Sequence, residues 1–274
     1  MPRMHGSCLI FAALLFFITP AFAEDDQPAP PDIAARRMEV MKSRIDKINV
    51  SSADATVPKR MHATPLFRYD DETRGYVDGT VWRLGDTGRP LAIVTAELHP
   101  DYLDSGPRVV YDLLSLTDKR FTMRSADLTG WSPQGSAVAM QTLPNGPTPA
   151  STPAARLAQI KQQARRFTGT QEVTEMATQF VHLRLLPREI DRYAPSGDPH
   201  AHGAIFLLVN GRNPALVLLI ETDGAKWQWG VGRLTLPSNL ELHLDDVKVW
   251  AQPRNASGGS NSPYYATNVQ AEFP

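Results

Sequence analysis

The chain reads as an α+β protein built from two tandem, pseudo-symmetric repeats, each one helix plus about four antiparallel strands. Three observations predict this. Two stretches with helical spacing of apolar residues lie about 120 residues apart. Each is followed by short apolar runs separated by Gly-containing turns. And the two halves match when the chain is slid along itself by 124 residues.

Residues 1–23 carry the three parts of a secretory signal peptide: Arg3 in an acid-free start, an apolar run at 9–18, and the small-x-small site Ala21-Phe22-Ala23. The run is about ten residues, short of the roughly 20 a membrane-spanning helix needs. The mature chain is expected to begin at Glu24 and to be exported, periplasmic or extracellular. Residues 24–31 form a polar, proline-rich lead, expected to be disordered.

The first repeat occupies 32–143. Its helix spans 32–48, with Asp32 as N-cap and Ile33, Met38, Met41, Ile45 and Ile48 at roughly helical spacing. Apolar runs at 77–84, 91–98, 109–116 and 121–128 are too short for helices and read as strands. The short connections between them favour antiparallel neighbours. Residues 144–153 hold four prolines and form a linker. The second repeat occupies 154–252. Its helix spans 154–167, with Leu157, Ile160, Ala164 and Phe167 on one face. Strands follow at 180–186, 204–209, 215–222, 226–234 and 240–244. Residues 253–274 read as a flexible tail.

At an offset of 124, Arg68-Tyr69 falls on Arg192-Tyr193, Gly79 on Gly203, Trp82 on Phe206 and Glu97 on Glu221. At 118, Tyr111 meets Trp229; at 119, Met123 meets Leu242 and Trp131 meets Trp250. Each repeat's sheet needs its apolar face covered, partly by its helix and otherwise by the other copy about a pseudo-twofold axis. The pattern Arg192-Tyr193, Gly203-Ala204-Ile205-Phe206, Asn213-Pro214 and Val217 to Glu221 resembles secreted bacterial proteins of the planctomycete type. In that family a DG-[AT]-x-[FW] strand precedes an N-P-x-x-x-L-x-x-E strand. Asp78 keeps the Asp of that pattern in the first copy, and His202 replaces it in the second. The resemblance covers residues 64–131 and 180–250. It implies a bacterial exported protein and no activity, because none is assigned to that family.

Composition narrows the chemistry. Cys8 is the only cysteine and lies in the leader, which excludes disulfides, thiolate zinc and thiol catalysis from the mature chain. The formal charge is −1, or −2 once Arg3 is removed, so neither nucleic acid nor an anionic membrane is an expected partner. No segment after the leader is apolar enough to span a membrane. The serine-hydrolase, dinucleotide and phosphate-loop glycine patterns are absent, and no cofactor is expected. Gly230-Val231-Gly232 lies in a strand pattern and suggests a bulge or bend.

Glu97 and Glu221 each end an apolar strand, and a twofold could bring them together as a paired-carboxylate acid/base. The competing expectation is structural: Arg68 with Glu97, and Arg192 with Glu221, one ion pair per copy. Asp198, His200 and His202 carry metal-ligating chemistry in five residues, with His182, His243 or Asp245 as a further ligand. Trp227 and Trp229 share a strand face, either in the core or as a platform for sugar rings. The expected function is a non-enzymatic exported binding or structural protein. Any ligand would sit between the repeats, and the partner would be an envelope component or another protein. The alternative is a cell-envelope or glycan hydrolase working through Glu97 and Glu221 or the 198–202 loop.

Overall fold

The computed structural model describes residues 31–173, 179–194 and 202–274. Helix α1 (Pro31–Asp46) is followed by β1 (Asn49–Ser51), β2 (Phe67–Asp71), β3 (Tyr76–Arg83), β4 (Ala92–His99), β5 (Arg108–Ser115), β6 (Thr122–Arg124) and β7 (Gln141–Thr142). Helix α2 (Pro153–Ala164) leads into β8 (Phe167–Val173), β9 (Gln179–Leu185), β10 (Asp191–Tyr193), β11 (His202–Asn210), β12 (Asn213–Thr222) and β13 (Trp227–Arg233). The last strands are β14 (Asn239–Leu244), β15 (Val247–Gln252) and β16 (Tyr264–Gln270).

The strands form three antiparallel sheets. The first large sheet runs β16-β5-β4-β3-β2. The second runs β15-β14-β8-β9-β11-β12-β13-β7, with β10 added beside β11. A two-stranded ribbon joins β1 to β6. Side chains alternate between the faces of each strand, so each large sheet has two faces to bury. The outer face of the first, carrying Trp82, Val94 and Leu113, packs under α1 (Met41, Ile45) and the ribbon. The outer face of the second, carrying Phe206, Leu218 and Trp229, encloses Ile160 and Ala164 of α2. The two inner faces meet through Val81, Ile93 and Leu114 on one side and Ile205, Val217 and Leu219 on the other.

This architecture corrects the α+β expectation of one helix plus four strands per repeat. The protein is mostly β, and the second sheet is far larger than four strands. Strands β8, β15 and β16 are polar or alternating segments that lack a long apolar run, and they form because a partner strand supplies their hydrogen bonds. The tail is likewise not loose. Its residues 264–270 pair with β5 along their whole length, and the Trp131 indole donates to Ser262 O at 2.8 Å. Asp32 lies in the first turn of α1 rather than capping it. The cap of α2 is Thr152, which accepts from Ala155 N, with Pro153 in the first turn.

One local arrangement occurs twice. Tyr69 pairs with Gly79, and Gly79 with Glu97. Tyr193 pairs with Gly203, and Gly203 with Glu221. The tyrosine ring lies over the glycine in both: a Cβ on Gly79 would sit 2.6 Å from the Tyr69 ring, and one on Gly203 2.3 Å from the Tyr193 ring. Gly230 and Gly232 make neither bulge nor bend. They lie in a regular β12–β13 ladder and leave room for Val138 and Leu114 of the facing layer. Among the described residues three ion pairs cross between the halves, Arg83–Asp191 at 2.5 Å, Arg89–Glu221 at 3.2 Å and Arg212–Asp70 at 2.5 Å. Among the described residues, no helix is long and apolar enough to cross a membrane.

Candidate functional site

The inner face of the first sheet changes character along β4. Ile93 belongs to the apolar contact with the second sheet, but Thr95, Glu97 and His99, at the same parity, are polar and buried. On β5 the neighbouring inward position is Asp112, paired with Thr95. Burying four polar side chains on one sheet face is costly unless each is hydrogen-bonded or faces a polar space. Here the sheets part, leaving a cleft of about 460 Å³. One wall comes from β3, β4, β5 and β16. The other is Gln171 on β8, Asn213 at the start of β12, and residues 235–238 after β13.

Glu97 is held on both oxygens. Tyr69 Oη donates to Oε1 at 2.9 Å, and His99 Nε2 lies 3.1 Å from Oε2. Asp112 accepts from the Tyr264 hydroxyl on one oxygen and from Thr95 Oγ1, at 3.3 Å, on the other. Behind it lies Arg233, almost wholly buried, which donates to the carbonyls of Thr235, Leu236, Ser238 and Pro253 and sits 5.3 Å from the Tyr264 ring centre. Burial raises the Asp112 carboxyl to about 7, and the Glu97 charge adds to the rise. Glu97 and Asp112 are diagonal neighbours on one face of the β4–β5 ladder, about 7–8 Å apart at Cα in such a pair.

The aromatic side of the cleft is continuous. Tyr69, Tyr76, His99 and Tyr102 follow one another with ring centres 5.7, 5.4 and 5.1 Å apart. Tyr76 is 2% exposed, and its hydroxyl has no hydrogen-bond partner among the described residues. Burial, then the Glu97 charge, raises its pKa, so the group stays a neutral phenol. At the rim, Leu103 and Asp104 both have positive φ (51° and 56°), and Leu103 is 79% exposed.

Of the candidate site residues read from the sequence that the structure describes, Glu97 alone lines this cleft. Glu221 lies at the other end of β12, held by Tyr193 Oη at 2.5 Å and by Arg89. Asn213, which lines the cleft, and Glu221 are about 25 Å apart in an extended strand. The two glutamates therefore do not form a catalytic pair. The expected Arg68–Glu97 and Arg192–Glu221 pairs are also replaced: Arg68 binds Asp78, with Nε at 2.8 Å from Oδ1, and Arg192 lies 3.4 Å from Glu189. Trp227 and Trp229 are buried in the second core, Trp227 Nε1 donating to Pro147 O, so they present no surface to a sugar.

Asp198 and His200 lie outside the described residues. His202 sits on β11 beside Arg156, whose Nε is 3.4 Å from Nδ1; burial, then that cation, lowers its pKa. Among the described residues, no group of three or more His, Cys, Asp or Glu is placed to hold a metal ion. His243 neighbours Glu241 and Asp245 is bound by Arg166.

Asp112, His99, Tyr76 and Tyr264 were not found from sequence. Their signal was present in part: Asp112 is the one charge in its apolar run, and 95, 97 and 99 are polar while 94, 96 and 98 stay apolar. Compared with protein-family models, with curated proteins and with solved structures, the chain matches none of them.

Proposed function

We propose that the chain is an exported binding protein that holds a small polar ligand in the cleft between its two halves. The observation that carries this is the Tyr76 hydroxyl, buried without a partner among the described residues, on a side chain that lines a cleft also presenting Glu97, His99 and Asp112. An unpaired buried hydroxyl costs about 1–3 kcal/mol, and a ligand group that bonds it recovers that cost on binding. The volume is within the usual range for small-molecule sites, about 300–1,000 Å³. The two sequence halves, proposed as copies, differ here. At the offsets that superpose them, Leu219 stands for Thr95, Asp223 for His99 and Gly230 for Asp112, so these three cleft residues are not repeated in the second half.

The test is a thermal-shift screen of residues 24–274 and of Tyr76→Phe against small metabolites, glycan fragments and lipids. Saturation at a hundredfold excess over Kd adds about 2.7 kcal/mol of stability. The expected result is a shift from one polar class that shrinks in Tyr76→Phe. A shift of equal size in both proteins would place the ligand elsewhere.

A second proposal, hydrolysis, is favoured by Asp112 in particular. An acid that keeps its proton to about pH 7 beside a second carboxylate has the makings of a general acid and base. It replaces the Glu97–Glu221 pairing with Asp112 and Glu97. Turnover of a glycan or ester panel that disappears in both Asp112→Asn and Glu97→Gln would favour it over binding alone.

A further inference from the structure

We infer that the ligand of this cleft is a small organic cation of the ammonium type. The inference rests on the binding function just proposed and specifies its ligand.

The two carboxylates of the cleft, Glu97 and Asp112, have no direct cationic partner from Lys or Arg among the described residues. Arg74 also lines the cleft, but lies 2.9 Å from Asp71, so that pair cancels. Arg233 is the cation behind Asp112, and its N–H groups are spent on four backbone carbonyls rather than on either carboxylate. His99 Nε2 is tied to Glu97 Oε2 at 3.1 Å. Arg108, opposite His99 in the ladder, donates to Asn268 at the side of the cleft, and among the described residues no Lys or Arg side chain contacts either Glu97 or Asp112. A cation placed between them removes the repulsion that two diagonal carboxylates suffer in a poorly hydrated space.

The second observation is independent of charge. Tyr76 lines the cleft, and its buried hydroxyl has no hydrogen-bond partner among the described residues. Its oxygen accepts an N–H or O–H, which an ammonium or a hydroxylated cation supplies. Tyr102, part-buried beside His99, adds an aromatic ring to the lining, and ring faces attract ammonium groups more than they attract neutral or anionic ones. A bare metal ion is the poorer fit, because the carboxylates are not grouped with a third donor among the described residues.

The experiment uses calorimetry on the whole mature chain with probes matched in shape and differing in charge. Choline and 4-aminobutanol are the cations, 3,3-dimethylbutanol and 1,5-pentanediol the neutral counterparts, and 5-hydroxypentanoate the anion. Cations are expected to bind at least tenfold more tightly than their neutral counterparts. Affinity for cations alone should fall with added salt, and Glu97→Gln should remove the preference. The salt series on unmutated protein decides the matter even if that variant fails to fold. Neutral or anionic probes binding as tightly as cations, with sensitivity to Tyr76→Phe, would overturn the cation while leaving the cleft as the site. No binding by any probe would overturn the cation and the small-ligand function together.

Discussion

The Tyr69 hydroxyl donates to Glu97 Oε1 at 2.9 Å while its ring covers Gly79, the residue between them in the ladder. Tyr193, Gly203 and Glu221 repeat the arrangement in the other half. The glycine is required because any side chain there meets the ring. Gly79→Ala and Gly203→Ala are each expected to destabilise by about 1–3 kcal/mol, the usual cost of overpacking. In a Tyr69→Ala background the Gly79→Ala penalty should vanish, because the two changes share one contact. Urea melts of the four-member cycle check this; additive losses would refute the contact.

Asp112 predicts a pH slope in stability. Its carboxyl ordinarily titrates at 3.8, and in the folded protein it is raised to about 7. Between these values the folded state holds a proton that the unfolded state has lost. The stabilising contribution is therefore complete below about pH 4 and is lost as pH rises through about 7. The full effect is on the order of 4 kcal/mol. Asp112→Asn should flatten stability over this window and leave the variant at least as stable as the parent at pH 8. Melts at pH 5 and pH 8 on both proteins are sufficient, and an unchanged slope in the variant would assign the effect to another group.

Tyr76→Phe should stabilise the unliganded protein. It removes an unpaired buried hydroxyl without changing the ring, for a gain of about 1–3 kcal/mol, or about 2–4 °C per kcal/mol in a chain of this size. A rise in Tm together with weakened ligand binding would mark the hydroxyl as kept for function. A fall in Tm would show that it has a structural partner.

Arg83 and Asp191 bind across the halves at 2.5 Å, both nearly buried. Burial outweighs the guanidinium and leaves Asp191 above its ordinary range. Arg83→Ala strands that carboxylate and should cost about 3–5 kcal/mol, whereas Arg83→Met with Asp191→Leu should recover most of the loss. Equal stability of single and double variants would mean that the pair contributes nothing.

Much of the fold was legible where apolar runs were long. Strands β3, β4, β5, β11, β12 and β13 and both helices fall on their predicted positions to within a few residues. The outer strands were not, because their residues are chosen for edges and surfaces: β15 alternates around exposed Val247 and Lys248, and β16 gains its order only from β5. The site failed for a related reason. Glu97 was noticed because its counterpart Glu221 recurs, but recurrence followed the Tyr–Gly–Glu framework rather than the cleft chemistry. Asp112 and His99 are replaced by Gly230 and Asp223 in the other half, and Tyr264 meets Asp112 only through the sheet edge.

That meeting sets an order of events during synthesis. The two residues are 152 positions apart in sequence, so a growing chain emits Asp112 long before the strand that covers its edge. Until β16 arrives, β5 is an open edge with a row of unpaired backbone groups, the sort of surface that recruits other strands. The cleft is thus among the last features to be completed, and a chain halted anywhere before residue 264 carries an exposed edge and no finished site.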